Sequence, residues 1–115
     1  MKRKLIIAAL VLLAFLAFGA VFVLSPFRTV RQLRARYQQV QPGMTSEQVA
    51  ALMAYPSTTI STASFPAWDD ASLPPAEASR ITSAVRYTVR TFFLPVSYEF
   101  SFDAQQRVVG RHIYD

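Results

Sequence analysis

The sequence predicts an α+β fold: an N-terminal transmembrane helix, then two short helices packed on a three-stranded antiparallel sheet. Three observations carry this. Leu5 to Leu24 runs for twenty residues without a polar side chain, behind the basic start Met1-Lys2-Arg3-Lys4. Val30, Leu33, Tyr37 and Val40, and then Val49, Leu52 and Met53, recur at helical spacing. In the C-terminal third, apolar and polar residues alternate in two runs, the signature of half-buried strands.

Residues 1–24 read as a membrane anchor. Twenty residues at about 1.5 Å each match the roughly 30 Å hydrocarbon core of a bilayer. A cleavable signal peptide is the competing reading, with Ala17-Phe18-Gly19 as its small-x-small site. The apolar run continues past that site through Val21-Phe22-Val23-Leu24, which favours an uncleaved signal-anchor. Lys2, Arg3 and Lys4 favour a cytoplasmic N-terminus, while Arg28, Arg31, Arg34 and Arg36 crowd the other flank, so charge alone leaves orientation near balance.

Residues 25–115 then form one small domain. Ser25-Pro26 reads as a helix start, an N-cap serine with proline at the first helical position. This helix is expected to reach about Gln41, burying Val30, Leu33, Tyr37 and Val40, with Phe27 at the edge of the stripe. Arg28 and Arg31 lie on the opposite side, flanked by Arg36. They read as a solvated face, or as a contact for anionic headgroups or an acidic partner. Gln41-Pro42-Gly43 ends the helix, since proline cannot continue it and glycine accepts positive φ. Thr45 with Gln48 has the spacing of a capping box, and Pro56 stops the second helix.

The stretch Val40-Gln41-Pro42-Gly43-Met44-Thr45-Ser46-Glu47-Gln48-Val49-Ala50-Ala51-Leu52-Met53-Ala54-Tyr55-Pro56 resembles the signature of the SmpA/OmlA family. The matching positions are Gly43, Met44, Thr45, Gln48, Val49, Leu52, Met53 and Pro56. The family comprises small envelope proteins, including the lipoprotein accessory subunit of the outer-membrane β-barrel assembly machine. Its fold, two helices on a three-stranded antiparallel sheet, is shared with a β-lactamase inhibitor. This chain departs from the pattern at Ala54, where the family has glycine, and in having no cysteine to lipidate. The resemblance implies a non-enzymatic, protein-binding envelope protein. Without the lipid, it implies a single pass in the inner (cytoplasmic) membrane with the C-terminal domain on the periplasmic side.

After Pro56, Ser57 to Ala63 alternates weakly and reads as a short strand. Residues 64–80, rich in proline, read as a loop. Within it Phe65, Trp68 and Leu73 are expected either to plug the sheet edge or to anchor a partner. The three strands are expected at roughly 82–93, 96–103 and 107–114. A turn at Leu94-Pro95 would place Val89 opposite Phe100 and Tyr87 opposite Phe102, with Arg90 opposite Glu99 and Arg86 opposite Asp103. Pairing Asp103 with Arg107 would place Val108 opposite Phe102, Gly110 opposite Phe100 and Arg111 next to Glu99.

The functional classes narrow accordingly. Of the net charge of +5, the three basic residues before Leu5 supply most; beyond Leu24, nine Lys/Arg face seven Asp/Glu. That is too even for a nucleic-acid face. Zero cysteines exclude thiol chemistry and disulfides, and no phosphate loop or nucleophile motif is present. His112 is expected on the apolar face beside Tyr98, as a packed residue. The expectation is therefore no enzyme, cofactor, metal, nucleic acid or small-molecule substrate. The candidate partner-binding surface is the sheet face away from the helices. It would carry Arg86, Thr88, Arg90, Phe92, Ser97, Glu99, Ser101, Val109, Arg111 and Ile113, with Phe65 and Trp68 as loop anchors. The alternative is a structural or regulatory membrane protein that acts through Leu5–Leu24.

Overall fold

The computed structural model describes residues 2–115 apart from 61–65, 92 and 93 and the side chain of Val23. The fold is α+β, with a long apolar helix at its N-terminus. Helix α1 (Lys2–Gln38) is followed by α2 (Ser46–Met53), β1 (Thr58–Ile60), β2 (Ala67–Trp68), β3 (Ala71–Ser72) and α3 (Pro75–Ala78). Then come β4 (Ser83–Val89), β5 (Val96–Phe102) and β6 (Val108–Tyr114). The six strands form one sheet in the order β1-β4-β5-β6-β2-β3. It is mixed, because β2 pairs parallel to β6 while the other pairs are antiparallel. The expected three-stranded sheet is its centre, and short strands extend it at both edges.

The anchor and the first core helix are one helix, not two. Pro26 lies inside α1 and Ser25 is helical, so the expected N-cap does not exist. Proline forfeits one backbone bond there, whereas a break would expose several carbonyls and N–H groups beside an apolar run. The Thr29 hydroxyl donates to the Ser25 carbonyl at 3.3 Å. The first part of α1 is long and apolar enough to cross a membrane, and none of its described residues is buried.

Beyond Pro26 the helical stripe behaves as its spacing predicts. Leu33, Tyr37 and Val40 are buried, and Val49 and Met53 join them from α2. They pack on Tyr87, Val89, Tyr98, Phe100 and Phe102 of the sheet. The Tyr98 hydroxyl donates to the Val30 carbonyl at 2.9 Å, and the Phe100 ring lies 5.5 Å from that of Tyr37. The capping box of α2 forms: Gln48 N–H donates to Thr45 Oγ1 at 3.2 Å and Thr45 N–H to Gln48 Oε1 at 2.9 Å. Ala54 ends the helix in the left-handed conformation, φ 47°. It holds that geometry despite its Cβ, which glycine would not have to accommodate.

Two registers differ from expectation. The β4–β5 connection is six residues long, so Val89 pairs with Val96, Arg86 with Glu99 and Val85 with Phe100. The slip is four residues, an even number, so every side chain keeps its face while its partner changes. At the second turn Phe102 pairs with Val108 as expected, but Ser101 pairs with Gly110, Phe100 with Arg111 and Glu99 with His112. Val109 is thus the extra residue of a β-bulge. Everything after it turns over: Arg111 and Ile113 join the helix side, and His112 joins the far side.

Residues 64–80 are not all loop. Ala67-Trp68 and Ala71-Ser72 make a small hairpin, and Pro75 starts a helical turn. The hairpin covers the free edge of β6. A Cβ on Gly110 would lie 2.6 Å from the Ala67 carbonyl oxygen, so this close approach needs glycine. Of the strand expected at Ser57 to Ala63, Thr58–Ile60 forms; its remainder from residue 61 and the expected strand end at 92–93 lie outside the described residues.

Two substitutions test this packing in the full chain held in detergent. Phe100→Ala should cost about 3–5 kcal/mol and abolish a cooperative melt. Ala54→Gly should raise the melting temperature through about 0.5–1 kcal/mol of relieved left-handed strain. An unaltered melt for either would contradict its assignment.

Candidate functional site

The sheet has two ends. β4 runs towards the apolar part of α1 and β5 runs away from it, so the turn at Asp103–Arg107 lies at the opposite end. There the Pro42-Gly43 turn meets the start of β6. Gly43 has φ 87°, its N–H donates to the Val108 carbonyl at 3.0 Å, and Val108 N–H donates to the Met44 carbonyl at 2.8 Å. Arg107 Nη1 adds a bond to the Gly43 carbonyl at 2.9 Å. The buried Asp103 carboxylate accepts from the N–H groups of Gln105 and Arg107, both at 3.0 Å, and holds the β5–β6 turn closed.

Between this turn, the β2–β3 hairpin and α3 lies a cleft of about 510 Å³. Trp68, Leu73 and Val109 give it apolar wall, and Glu77, Arg80 and Arg107 charge its rim. Arg80 is mostly exposed and meets Asp103 only at 3.4 Å, and Arg107 and Glu77 are also exposed. The cleft thus sets an apolar wall beside exposed charges of both signs.

One side of the cleft is braced by Arg111, which the bulge brings under the C-terminus of α1. Its Nη1 donates to the Tyr37 carbonyl at 2.9 Å and the Val40 carbonyl at 3.1 Å, and its Nη2 to Asp69 Oδ2 at 3.0 Å. The guanidinium carbon lies 4.7 Å from both the Tyr37 and the Trp68 ring centroids. The Tyr37 hydroxyl donates to Asp69 Oδ1 at 2.7 Å. Burial, and then this bond to Asp69, push the Tyr37 phenol well above its usual range. Burial alone would raise the Asp69 carboxyl; the bonds from Arg111 and Tyr37 outweigh it and hold that carboxyl below its usual range. His112 Nδ1 lies 2.7 Å from the Asp69 carbonyl oxygen, which ties the hairpin to β6 a second time.

The candidate residues named from sequence do not share one face. Trp68 and Val109 come together in the cleft. Arg111 is committed to the brace and Ile113 packs against the core. Glu99 is 2% exposed and Ser101 3%, so the far face of the sheet is covered in its middle. Glu99 Oε2 accepts from Arg86 Nη2 at 2.9 Å, not from Arg90 as the expected register had it. Arg90 is exposed at the other end of the sheet; Phe92 and Phe65 lie outside the described residues. His112 sits on the far face opposite Glu99, not beside Tyr98 on the apolar one. Gly43, Met44, Thr45, Gln48, Val49, Leu52 and Pro56 serve the turn and α2, and Gly43 also lines the cleft. Leu73, expected with Trp68 to plug the sheet edge or anchor a partner, lines the cleft beside it, whereas Glu77, Arg80 and Arg107 were missed by the sequence reading. Pro74-Pro75 ahead of Ala76-Glu77-Ala78 was the available signal, since proline favours the first helical position. Among the described residues, no three His, Cys, Asp or Glu side chains are grouped to hold a metal.

Comparison with protein-family models, curated proteins and solved structures returned no match.

The lowered Asp69 value has a pH consequence. The unfolded chain binds that proton more tightly than the folded one, so the stabilisation is complete above about pH 4 and is lost as pH falls through the lower folded value. Melting temperature should therefore drop on acidification from about pH 5 to about pH 3. Asp69→Asn should lower the neutral melting temperature and flatten that part of the curve; an equal slope in both proteins would contradict the brace.

Proposed function

We propose that this chain is a non-enzymatic, membrane-anchored envelope protein that binds another protein through the cleft at the far end of its sheet. Leu5–Leu24 is the anchor, in the inner membrane, and the domain lies on the periplasmic side. The observation that carries the reading is the continuity of α1. The same helix supplies the apolar segment and, past Pro26, the core stripe of Leu33 and Tyr37. A domain built on its own anchor presents one end to the bilayer and the other to the surroundings, and that other end carries the cleft. The motif from Gly43 to Pro56 supports kinship with the SmpA/OmlA envelope proteins, whose members bind protein partners. The six-stranded mixed sheet is larger than the sheet that kinship implies.

A second reading has its own observation: among the described residues, the apolar segment of α1 is unburied, leaving it open to a partner within the bilayer. The two make opposite demands. A photocrosslinking residue at Glu77 should give a discrete adduct in cells, and Arg107→Glu combined with Arg80→Glu should reduce it at least tenfold. Replacing Leu5–Leu24 by an unrelated transmembrane sequence should leave it intact. Loss of the adduct on replacement, with indifference to the cleft substitutions, would favour the bilayer contact.

A further inference from the structure

Arg90 and Thr91, at the start of the β4–β5 connection, are level with the end of the apolar segment. A recess of about 450 Å³ lies between Phe22 and Pro26 on α1 and Arg90 and Thr91 on the tip. Phe22 is two residues inside the run that ends at Leu24, and Pro26 two residues beyond it. At about 1.5 Å per residue, the tip therefore straddles the hydrocarbon boundary within a few ångströms. Its chemistry suits that depth. The Thr91 hydroxyl donates to the Leu94 carbonyl and accepts from Leu94 N–H at 3.2 Å, which closes the tip. Leu94 projects from it 68% exposed, and Phe27 on the adjoining turn of α1 is 39% exposed. Arg90 on the tip and Arg28 and Arg31 on α1 are exposed as well.

We infer that the β4–β5 tip is a second membrane contact: Leu94 enters the edge of the hydrocarbon, and Arg90, Arg28 and Arg31 meet lipid phosphates. The inference rests on α1 spanning the bilayer. Backbone groups at a hairpin tip cannot be left unsatisfied in hydrocarbon, so the tip stays in the headgroup layer and only side chains descend. Arginine suits such a layer, since its stem can lie along apolar surface while the guanidinium reaches phosphate. Two contacts, the helix and the tip, fix the tilt of the domain and hold the cleft away from the membrane.

The chain has no cysteine, so single labels can be introduced into it intact. The full chain would be placed in phosphatidylglycerol/phosphatidylcholine vesicles holding no other protein. An environment-sensitive fluorophore would be carried in turn at Leu94→Cys, at Ala104→Cys on the opposite turn and at Leu13→Cys in the anchor. The Leu94 label should emit blue-shifted, be quenched by lipids brominated near the glycerol end, and be quenched by aqueous iodide several-fold less than the Ala104 label. A Leu94 label as open to iodide as Ala104, with Leu13 shielded, overturns the tip contact and leaves the anchor standing. A Leu13 label open to iodide overturns both.

Discussion

A single guanidinium joins the parts of this molecule. Arg111 takes the Tyr37 carbonyl in the last turn of α1, where the helix dipole is negative, and the Val40 carbonyl just beyond the helix. It also takes the Asp69 carboxylate from the hairpin at the sheet edge and lies between the rings of Tyr37 and Trp68. A charge this enclosed is costly unless acceptors, countercharge and π faces surround it, and here they come from the end of α1 and from the hairpin. The bulge at Val109 and the missing side chain of Gly110 follow from that demand. One turns Arg111 towards the helix, and the other lets the Ala67 carbonyl come close enough for the hairpin to reach it.

The consequence for function is mechanical. In the role proposed, the anchor is not a tether with a swivel. The helix that leaves the bilayer packs its next turns on Tyr98 and Phe100, so the domain inherits the helix's direction. On that proposal the strand axis separates a lipid-facing end, with Leu94 and Arg90, from a partner-facing end, with Trp68, Val109 and Arg107. The middle of the far face, where Glu99 and Ser101 are buried, is structure and not surface.

Local chemistry was sufficient for much of this. Twenty apolar residues, the stripe from Val30 to Val40, the Thr45 cap with Gln48 and the alternation from Val85 to Phe102 were legible because each depends on neighbours within a turn or a strand. The faces of β4 and β5 were legible for the same reason. Their register was not, since a four-residue slip preserves every face and changes only the cross-strand partners and the loop.

What tertiary structure decided lies where one element meets another. Ser25-Pro26 has the chemistry of a helix start, yet the helix runs through it, because one lost bond is cheaper than an open helix end beside an apolar run. Val108-Val109 can face either way. The bulge that settles it answers to the carbonyls of α1 and to Asp69, which are 42 or more residues away along the chain. Residues 66–72 pair only because β6 offers an edge. The sequence by itself determined the apolar segment, α2 and the three central strands, and the apolar side of α1, α2, β4 and β5, because those are short-range preferences of the backbone and of water. The tertiary structure decided where Arg111 goes, and with it which residues gather into a cleft, because the burial of a charge is settled by partners that only the folded chain brings together.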